Sequence, residues 1–333
     1  MSDARSNPTL NKPLEIRRVS LIGFGEAGGI LGGDLAALNL GNRPRFELAT
    51  YDVKLDDGRE CLAMRAKAES ARVQPRASLV EALADADLVI SAVTADQALS
   101  VATDAARHLK RGQVFLDINS VAPNTKREAR AAVEAKGAHY VEAAVMAPVP
   151  PSRLRVQMLL GGTRARDLAA FLNGVGMNAE AVSPEIGIAS AIKMCRSIMI
   201  KGLEALVVEC MFAARLHGAE DAVLVSLHAS FPHMGWDKDL PGYLMSRVAE
   251  HGKRRAAEMR EVAAMLDDAR LEPHMAAATA SRQDWLVDAL QSLGLAYDKT
   301  KPFVWQDVVD AVAKALDDRA EPPKPKKAGA KAR

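Results

Sequence analysis

The 333-residue sequence predicts an α/β half followed by an all-helical half. Three observations predict it. Strand-like apolar runs alternate with helical segments as far as residue 182, after which the strands stop. A glycine-rich turn follows the first of those runs. Residues 183–218, SPEIGIASAIKMCRSIMIKGLEALVVECMFAARLHG, read as one long helix joining the halves.

That helix has its own punctuation. Ser183 supplies a capping hydroxyl, Pro184 stands at the first helical position, and Glu185 puts an acid in the first turn. Gly218 reads as the stop. At about 1.5 Å per residue the helix would run roughly 50 Å. Its largely apolar circumference predicts burial on nearly every side. Ser190, Lys193, Ser197, Lys201 and Glu204 break the pattern, and their spacing of three or four places them on one face. A solvated edge with ordinary surface charges would explain the stripe. A buried lysine there would instead have its pKa lowered toward that of a usable base.

Composition narrows the class. The length fits two domains with large cores. Hydrophobic residues make up 49 % and aromatic residues only 4 %, as in ordinary α/β or helical proteins. The net charge is +2, but residues 321–333 carry four Lys and one Arg against one Glu, a local +4 that leaves about −2 for the rest. Neither a nucleic-acid nor a membrane partner is expected. No stretch of eighteen apolar residues occurs. Cys61, Cys195 and Cys210 lack metal or disulfide spacing, and the N-terminal residues lack a secretory core. Reduced thiols in a cytoplasmic protein without a metal site are expected.

In chain order, residues 1–16 read as a flexible leader. RRVSLIGFGEAGGILGGDLAAL (17–38) gives strand, glycine turn and helix, with Gly23, Gly25 and Gly28 in G-x-G-x-x-G. The first glycine permits a tight turn, the second lets the backbone approach a pyrophosphate, and the third packs the helix close. Phe24, Glu26 and Ala27 fill the motif and are expected to contact the same dinucleotide. The next strand, 46–53, contains Asp52, twenty-four residues past Gly28. A carboxylate there would bind ribose hydroxyls and favour NAD over NADP, although Lys54 keeps NADP possible. Asp52 could instead simply start a turn. Strands at 88–93, 113–119, 139–146, 157–162 and 178–182 alternate with helices, predicting a doubly wound, mostly parallel sheet. Thr94, Asn119, Ser120 and Met146 then emerge at the carboxyl ends of strands, where ligands bind. Turns at Pro232, Gly235, Pro241-Gly242, Pro273 and Pro302 divide the helices of 219–319. The expected organisation is a Rossmann dinucleotide-binding domain at 17–182, an all-α domain at 183–319 beginning with the interdomain helix 183–218, and a disordered basic tail at 320–333.

This layout and four local motifs resemble the β-hydroxyacid dehydrogenases, the group of 3-hydroxyisobutyrate and 6-phosphogluconate dehydrogenases. The resemblance covers residues 17–217 well and the helical domain poorly. The glycine fingerprint is matched by Gly23, Gly25 and Gly28. D-x-S-[ST]-x-x-P is matched by DINSVAP, with Asp117, Asn119, Ser120 and Pro123 in register. D-A-P-V-S-G-G is matched loosely by EAAVMAP, Glu142 to Pro148. G-x-G-x-x-x-K-x-x-x-N is matched by GIASAIKMCRS, with Ala189 for the second glycine and Ser197 for the asparagine.

The resemblance implies an NAD(P)-dependent dehydrogenase in which Lys193 is the general acid/base and Ser197 holds the lysine or the substrate hydroxyl. Ser120 and the Asn119 amide would bind a substrate carboxylate. Met146 and Ala147 replace small family residues on the substrate wall, and Pro148, Pro150 and Pro151 stiffen it. Met146 as core filling, and Arg153 and Arg155 as an anion-binding fork or as solvated charge, stay open. The decarboxylating enzymes place His, Asn and Glu three, four and seven residues after the lysine. Here Arg196, Ser197 and Ile200 stand there, so assisted decarboxylation is not expected. A small hydroxy-acid substrate and a homodimer or higher homo-oligomer are the implied partners. An imine reductase of the same fold, and a non-catalytic NAD(P)-binding protein, are the rival readings. In the helical domain, His233 is a candidate for lining the pocket.

Overall fold

The computed structural model describes residues 14–38 and 45–320, so residues 1–13 of the expected leader and the tail 321–333 lie outside the described residues. The chain divides into two compact units, 1–196 and 197–333. The first is built on an eight-stranded sheet in the order β3-β2-β1-β4-β5-β6-β7-β8. The strands are β1 (Arg18–Ile22), β2 (Glu47–Tyr51), β3 (Gln74–Pro75), β4 (Leu88–Ser91), β5 (Val114–Asp117), β6 (His139–Val145), β7 (Gln157–Gly161) and β8 (Asn178–Ser183). Its helices are α1 (Glu26–Ala37), α2 (Cys61–Ser70), α3 (Leu79–Leu83), α4 (Ala98–Ala106), α5 (Pro123–Glu134), α6 (Val149–Ser152) and α7 (Ala165–Gly174).

Every residue of β4 and β5 is buried. Such uninterrupted apolar runs are what strands covered on both faces require. One core lies around Leu21, Phe24, Leu31, Leu88 and Leu116. The second lies around Ile22, Val89, Phe115 and Tyr140, with the last two rings stacked at 6.0 Å. Pairing is parallel throughout except between β6 and β7, which run antiparallel. The sheet is thus mostly parallel, as expected, with β7 and β8 reversed. The link between β6 and β7 holds only α6 and a further short turn, too little for the crossover a parallel return needs. β1 lies between β2 and β4, so the chain reverses direction across the sheet there, leaving a crevice at the strands' carboxyl ends.

Two boundaries differ from expectation. Ile16 is buried and Leu14 packs on the first core, so the ordered chain begins before residue 17. The long helix α8 spans Ile188–Leu216 rather than 184–217. Gly187 sits at φ +103°, outside helical space, and delays the start. Ser183 instead ends β8, and its hydroxyl accepts from the Glu185 N–H at 3.0 Å, capping a turn. Nor is α8 buried on nearly every side. Ile192, Met199 and Leu206, at seven-residue spacing, are 41, 74 and 56 % exposed.

The second unit comprises the remainder of α8 with α9 (Glu220–Ser230), α10 (Leu240–Asp268), α11 (His274–Ser292) and α12 (Trp305–Ala320). Val208, Met211, Met245, Val248, Leu286 and Val309 form its core. Gly252 lets α10 lie tight on α11, for a Cβ there would stand 2.6 Å from Val287 and 2.7 Å from the Gln283 carbonyl. Pro241 and Gly242, expected at a turn, belong to the first turn of α10, where a missing N–H costs nothing.

Candidate functional site

The glycine turn joins β1 to α1, and its glycines do different work. Gly23 adopts φ +86°, its N–H donates to the Tyr51 carbonyl at 2.9 Å, and a Cβ would sit 2.4 Å from the Ala92 oxygen. A Cβ on Gly28 would meet the Gly23 oxygen at 2.1 Å, so backbone fills that space. A Cβ on Gly25 would meet nothing within 4 Å. The open position therefore stands just before the first turn of α1, whose unpaired N–H groups attract anions. Glu26, the first residue of α1, is exposed and Ala27 is half-buried. Phe24 does not offer its ring to a ligand: it is fully buried in the first core.

Two side chains brace the turn. Asp52 accepts the Phe24 N–H at 2.7 Å with one oxygen and the Lys54 N–H at 3.0 Å with the other. The second bond caps a short 3-10 turn, so the turn-starting role is real. Lys67 on α2 donates to the Phe24 and Gly25 carbonyls, both at 2.7 Å, with its nitrogen 5.7 Å from the Phe24 ring centre. Lys54 pairs with Glu60 at 2.6 Å.

Beside this turn lie the loops after β4 and β5. The Asn119 carbonyl oxygen accepts the Val93 N–H at 2.7 Å, and its amide nitrogen donates to the Ser91 hydroxyl at 3.0 Å. Asn119 is buried, so it ties the two loops together, and its amide points into the scaffold, contrary to its expected place on a substrate carboxylate. Beneath it, Asp117 accepts from Tyr140 at 2.6 Å and from the Asn119 N–H at 2.9 Å, and pairs with Lys126 at 2.8 Å. Burial, with Asp117 adding to it, raises the Tyr140 hydroxyl pKa well above its ordinary range. Thr94 is exposed, and its hydroxyl helps hold the Asp96 carboxyl below its usual range.

Lys193, half-buried on α8, donates to the Ser120 hydroxyl in the loop after β5. Helix and loop are thus joined within the first unit, at the carboxyl end of the sheet, where the glycine turn also lies. Met146, at the end of β6, packs with Ala144, Leu159 and Ala189, which is core filling, while Ala147 is exposed. Arg153 adopts φ +52° and turns its guanidinium to Asp34 on α1, with Nε at 3.0 Å, so it is not an unengaged anion fork.

Residues 18–176 match the NAD binding domain of 6-phosphogluconate dehydrogenase, and residues 214–286 match a domain of unknown function, DUF1932. A conserved hypothetical protein from Sinorhizobium meliloti 1021 is 36 % identical, with 90 % of this chain and 97 % of that one covered at a TM-score of 0.75. MTH1747, a conserved protein of unknown function described as structurally similar to 3-hydroxyacid dehydrogenases, is 31 % identical. The match covers 81 % of this chain and 97 % of that one, with a TM-score of 0.66. The chain belongs to the 3-hydroxyacid dehydrogenase-like family. Mycobacterium tuberculosis 3-hydroxyisobutyrate dehydrogenase shares the fold at 14 % identity, a TM-score of 0.65, and coverage of 90 and 99 %.

The first unit of this hydroxyacid dehydrogenase-like chain is accordingly an NAD-binding domain. Its glycine turn fits that group, with two positions closed by backbone and Gly25 left open toward the helix terminus. Sequence reasoning missed Lys67, Lys126 and the role of Glu142. A lysine on an ordinary helix carries no local mark of the carbonyl or carboxylate it reaches. Glu142 stands in the sequence only as a loose motif match, yet its buried carboxylate accepts from Gly187, Ala189 and Ser190.

In the second unit, Ser197 accepts a long hydrogen bond from Lys201 at 3.4 Å. Lys201 also pairs with Glu258, and Glu204 accepts from Arg255 and, at 3.1 Å, from Gln283. The stripe on α8 is therefore not a solvated edge. Burial holds the Lys201 pKa below the ordinary lysine range, with Glu258 pulling the other way. His233 is exposed on a turn.

Proposed function

We propose that this protein is an NAD(P)-dependent dehydrogenase acting on a small 3-hydroxy acid or on its oxo partner. The observation that carries the reading is the contact of Lys193 with Ser120 at the carboxyl end of the sheet, which also bears the glycine turn. Bound nicotinamide supplies the hydride acceptor or donor; the chain must supply the proton. Lys193, as neutral amine, takes the proton of the substrate hydroxyl during oxidation, and as ammonium returns it during reduction. Ser120 marks where a substrate oxygen would stand, since a hydroxyl already satisfies the lysine there. Ser197, one turn further along α8, is assigned to holding the amine or the substrate.

Asn119 acts in this reading through the loop it pins, which presents Ser120. Ala147 lines the apolar wall, with Met146 filling the core behind it. Gly23 to Gly28 and Thr94 face the cofactor, and Asp52 favours NAD. The exposed ridge of Ile192, Met199 and Leu206 supports a homo-oligomer. Assaying 3-hydroxy acids and aldonates with NAD⁺ and NADP⁺, alongside the variant Lys193→Ala, tests the reading. Retained cofactor binding with lost turnover supports it. Unchanged turnover in the variant removes the lysine from the chemistry, and absence of hydroxy-acid turnover in the unaltered protein favours an imine reductase or a non-catalytic binder.

A further inference from the structure

We infer that Glu142 is a positioning residue for Lys193, an inference that rests on the function proposed above. Glu142 lies on β6, paired laterally with Asp117 on β5 and Gly161 on β7. Its side chain has no exposure to solvent. A carboxylate so placed is costly unless donors surround it. Here one oxygen accepts the Gly187 N–H at 2.6 Å and the Ala189 N–H at 3.1 Å, and the other accepts the Ser190 hydroxyl at 2.7 Å. These groups begin α8. N–H groups at a helix start lack partners within the helix, and an acid is stabilised there by the helix dipole. The usual cap comes from the residue just before the helix. In this chain it comes from a strand of the sheet.

The surroundings are shaped to this carboxylate. A Cβ on Gly161 would stand 2.6 Å from the accepting oxygen and 3.0 Å from the Glu142 Cγ, so only glycine leaves it room. Gly187 holds φ +103°, which turns the chain from β8 into α8, and the Arg127 guanidinium occupies the place its Cβ would take. Ser190 and Lys193 are three residues apart on one helical face. Glu142 therefore fixes the rotation and height of the turn that carries Lys193, anchored to the strand beside β5, whose loop presents Ser120. The amine is aimed from one side by the helix start and received on the other by the serine.

The test uses the full-length protein and the variants Glu142→Ala, Glu142→Gln and Gly161→Ala, each alone and combined with Lys193→Ala. Misplacing a reacting group by about 1 Å costs on the order of a hundredfold in turnover. We expect kcat to fall by about that factor in Glu142→Ala and by less in Glu142→Gln, with the NAD dissociation constant unchanged within about twofold. Gly161→Ala should reproduce the loss without altering any charge. Added to Lys193→Ala, each substitution should cost nothing more, because the group being aimed is already gone. Losses that add to that of Lys193→Ala, or turnover unchanged in both Glu142→Gln and Gly161→Ala, would overturn the inference.

Amide exchange at Gly187 and Ala189 and the NMR shift of isotopically methylated Lys193 read the same geometry without activity. Both should change in the Glu142 and Gly161 variants. If Lys193→Ala keeps full turnover, the proposed function fails. If Lys193→Ala is inactive and the lysine signal is unmoved by the Glu142 and Gly161 variants, the positioning role alone fails.

Discussion

Lys126 on α5 lies 2.8 Å from the carboxylate of Asp117, the last residue of β5, and both side chains are 1 % exposed. The same ammonium donates to the Asp117 carbonyl at 3.0 Å. The pair ties the strand end to the helix that follows it, beneath the loop presenting Ser120. Replacing only the cation would strand a buried carboxylate. Lys126→Met is expected to lower stability by about 3–5 kcal/mol. Chemical denaturation of wild type and variant measures it, and a loss under about 1 kcal/mol would mean the charge is not truly confined.

The three glycines of the turn should separate in experiment. Gly28→Ala places a methyl 2.1 Å from a backbone oxygen, so the first unit must distort and its melting temperature should fall. Gly25→Ala meets no atom of the protein and should melt close to wild type. Calorimetric titration with NAD should nevertheless show weakened binding in Gly25→Ala, because the methyl enters the space left for the pyrophosphate. Undiminished affinity there would put the cofactor elsewhere.

Lys67 gives a prediction of a different kind, since it supports the turn from outside the motif. Its ammonium makes two charge-assisted bonds to carbonyls, each at 2.7 Å. Lys67→Met should loosen the turn and weaken NAD binding by about ten- to a hundredfold, corresponding to the worth of one or two such bonds. Fluorescence titration of reduced cofactor is a suitable measurement. An unchanged dissociation constant would reduce the lysine to surface packing.

Lys201 predicts a pH effect in the second unit. Burial lowers its pKa in the folded chain, against the pull of Glu258. Between that lowered value and the unfolded one, about 10.4, the unfolded chain holds more protons than the native chain. Stability from this group therefore rises as pH climbs through the window. Lys201→Met lacks the effect. The wild-type melting temperature minus that of Lys201→Met should become more positive as pH approaches the upper limit, and a difference that shrinks would reverse the assignment.

Much of this was legible in the residues. Uninterrupted apolar runs such as LVIS and VFLD announce buried parallel strands, and G-F-G-E-A-G between strand and helix announces the dinucleotide turn. Lys193 and Ser120, which the structure joins, each stand in a spaced local pattern of the sequence. What stayed hidden depends on partners far apart in sequence. Glu142 meets the start of α8 from a strand, Lys67 reaches carbonyls from the next helix, and Asn119 spends its amide on Ser91. Pro184 and Glu185 look like a helix opening, whereas the positive φ of Gly187 decides where α8 begins. Which strands of the mostly parallel sheet are reversed is not legible, because alternation of strands and helices says nothing of direction when the link is short.

The bond from the Phe24 N–H to Asp52 bears on any attempt to retool coenzyme preference. Exchanging that aspartate for a neutral or basic residue, the obvious move toward the phosphorylated dinucleotide, would also remove the strut that keeps the loop in shape. An engineer would do better to leave it in place and work on the Lys54–Glu60 pair, whose side chains are 48 and 51 % exposed. Releasing that lysine from its acid offers a positive charge near the end of β2 while the bracing beneath the loop stays intact.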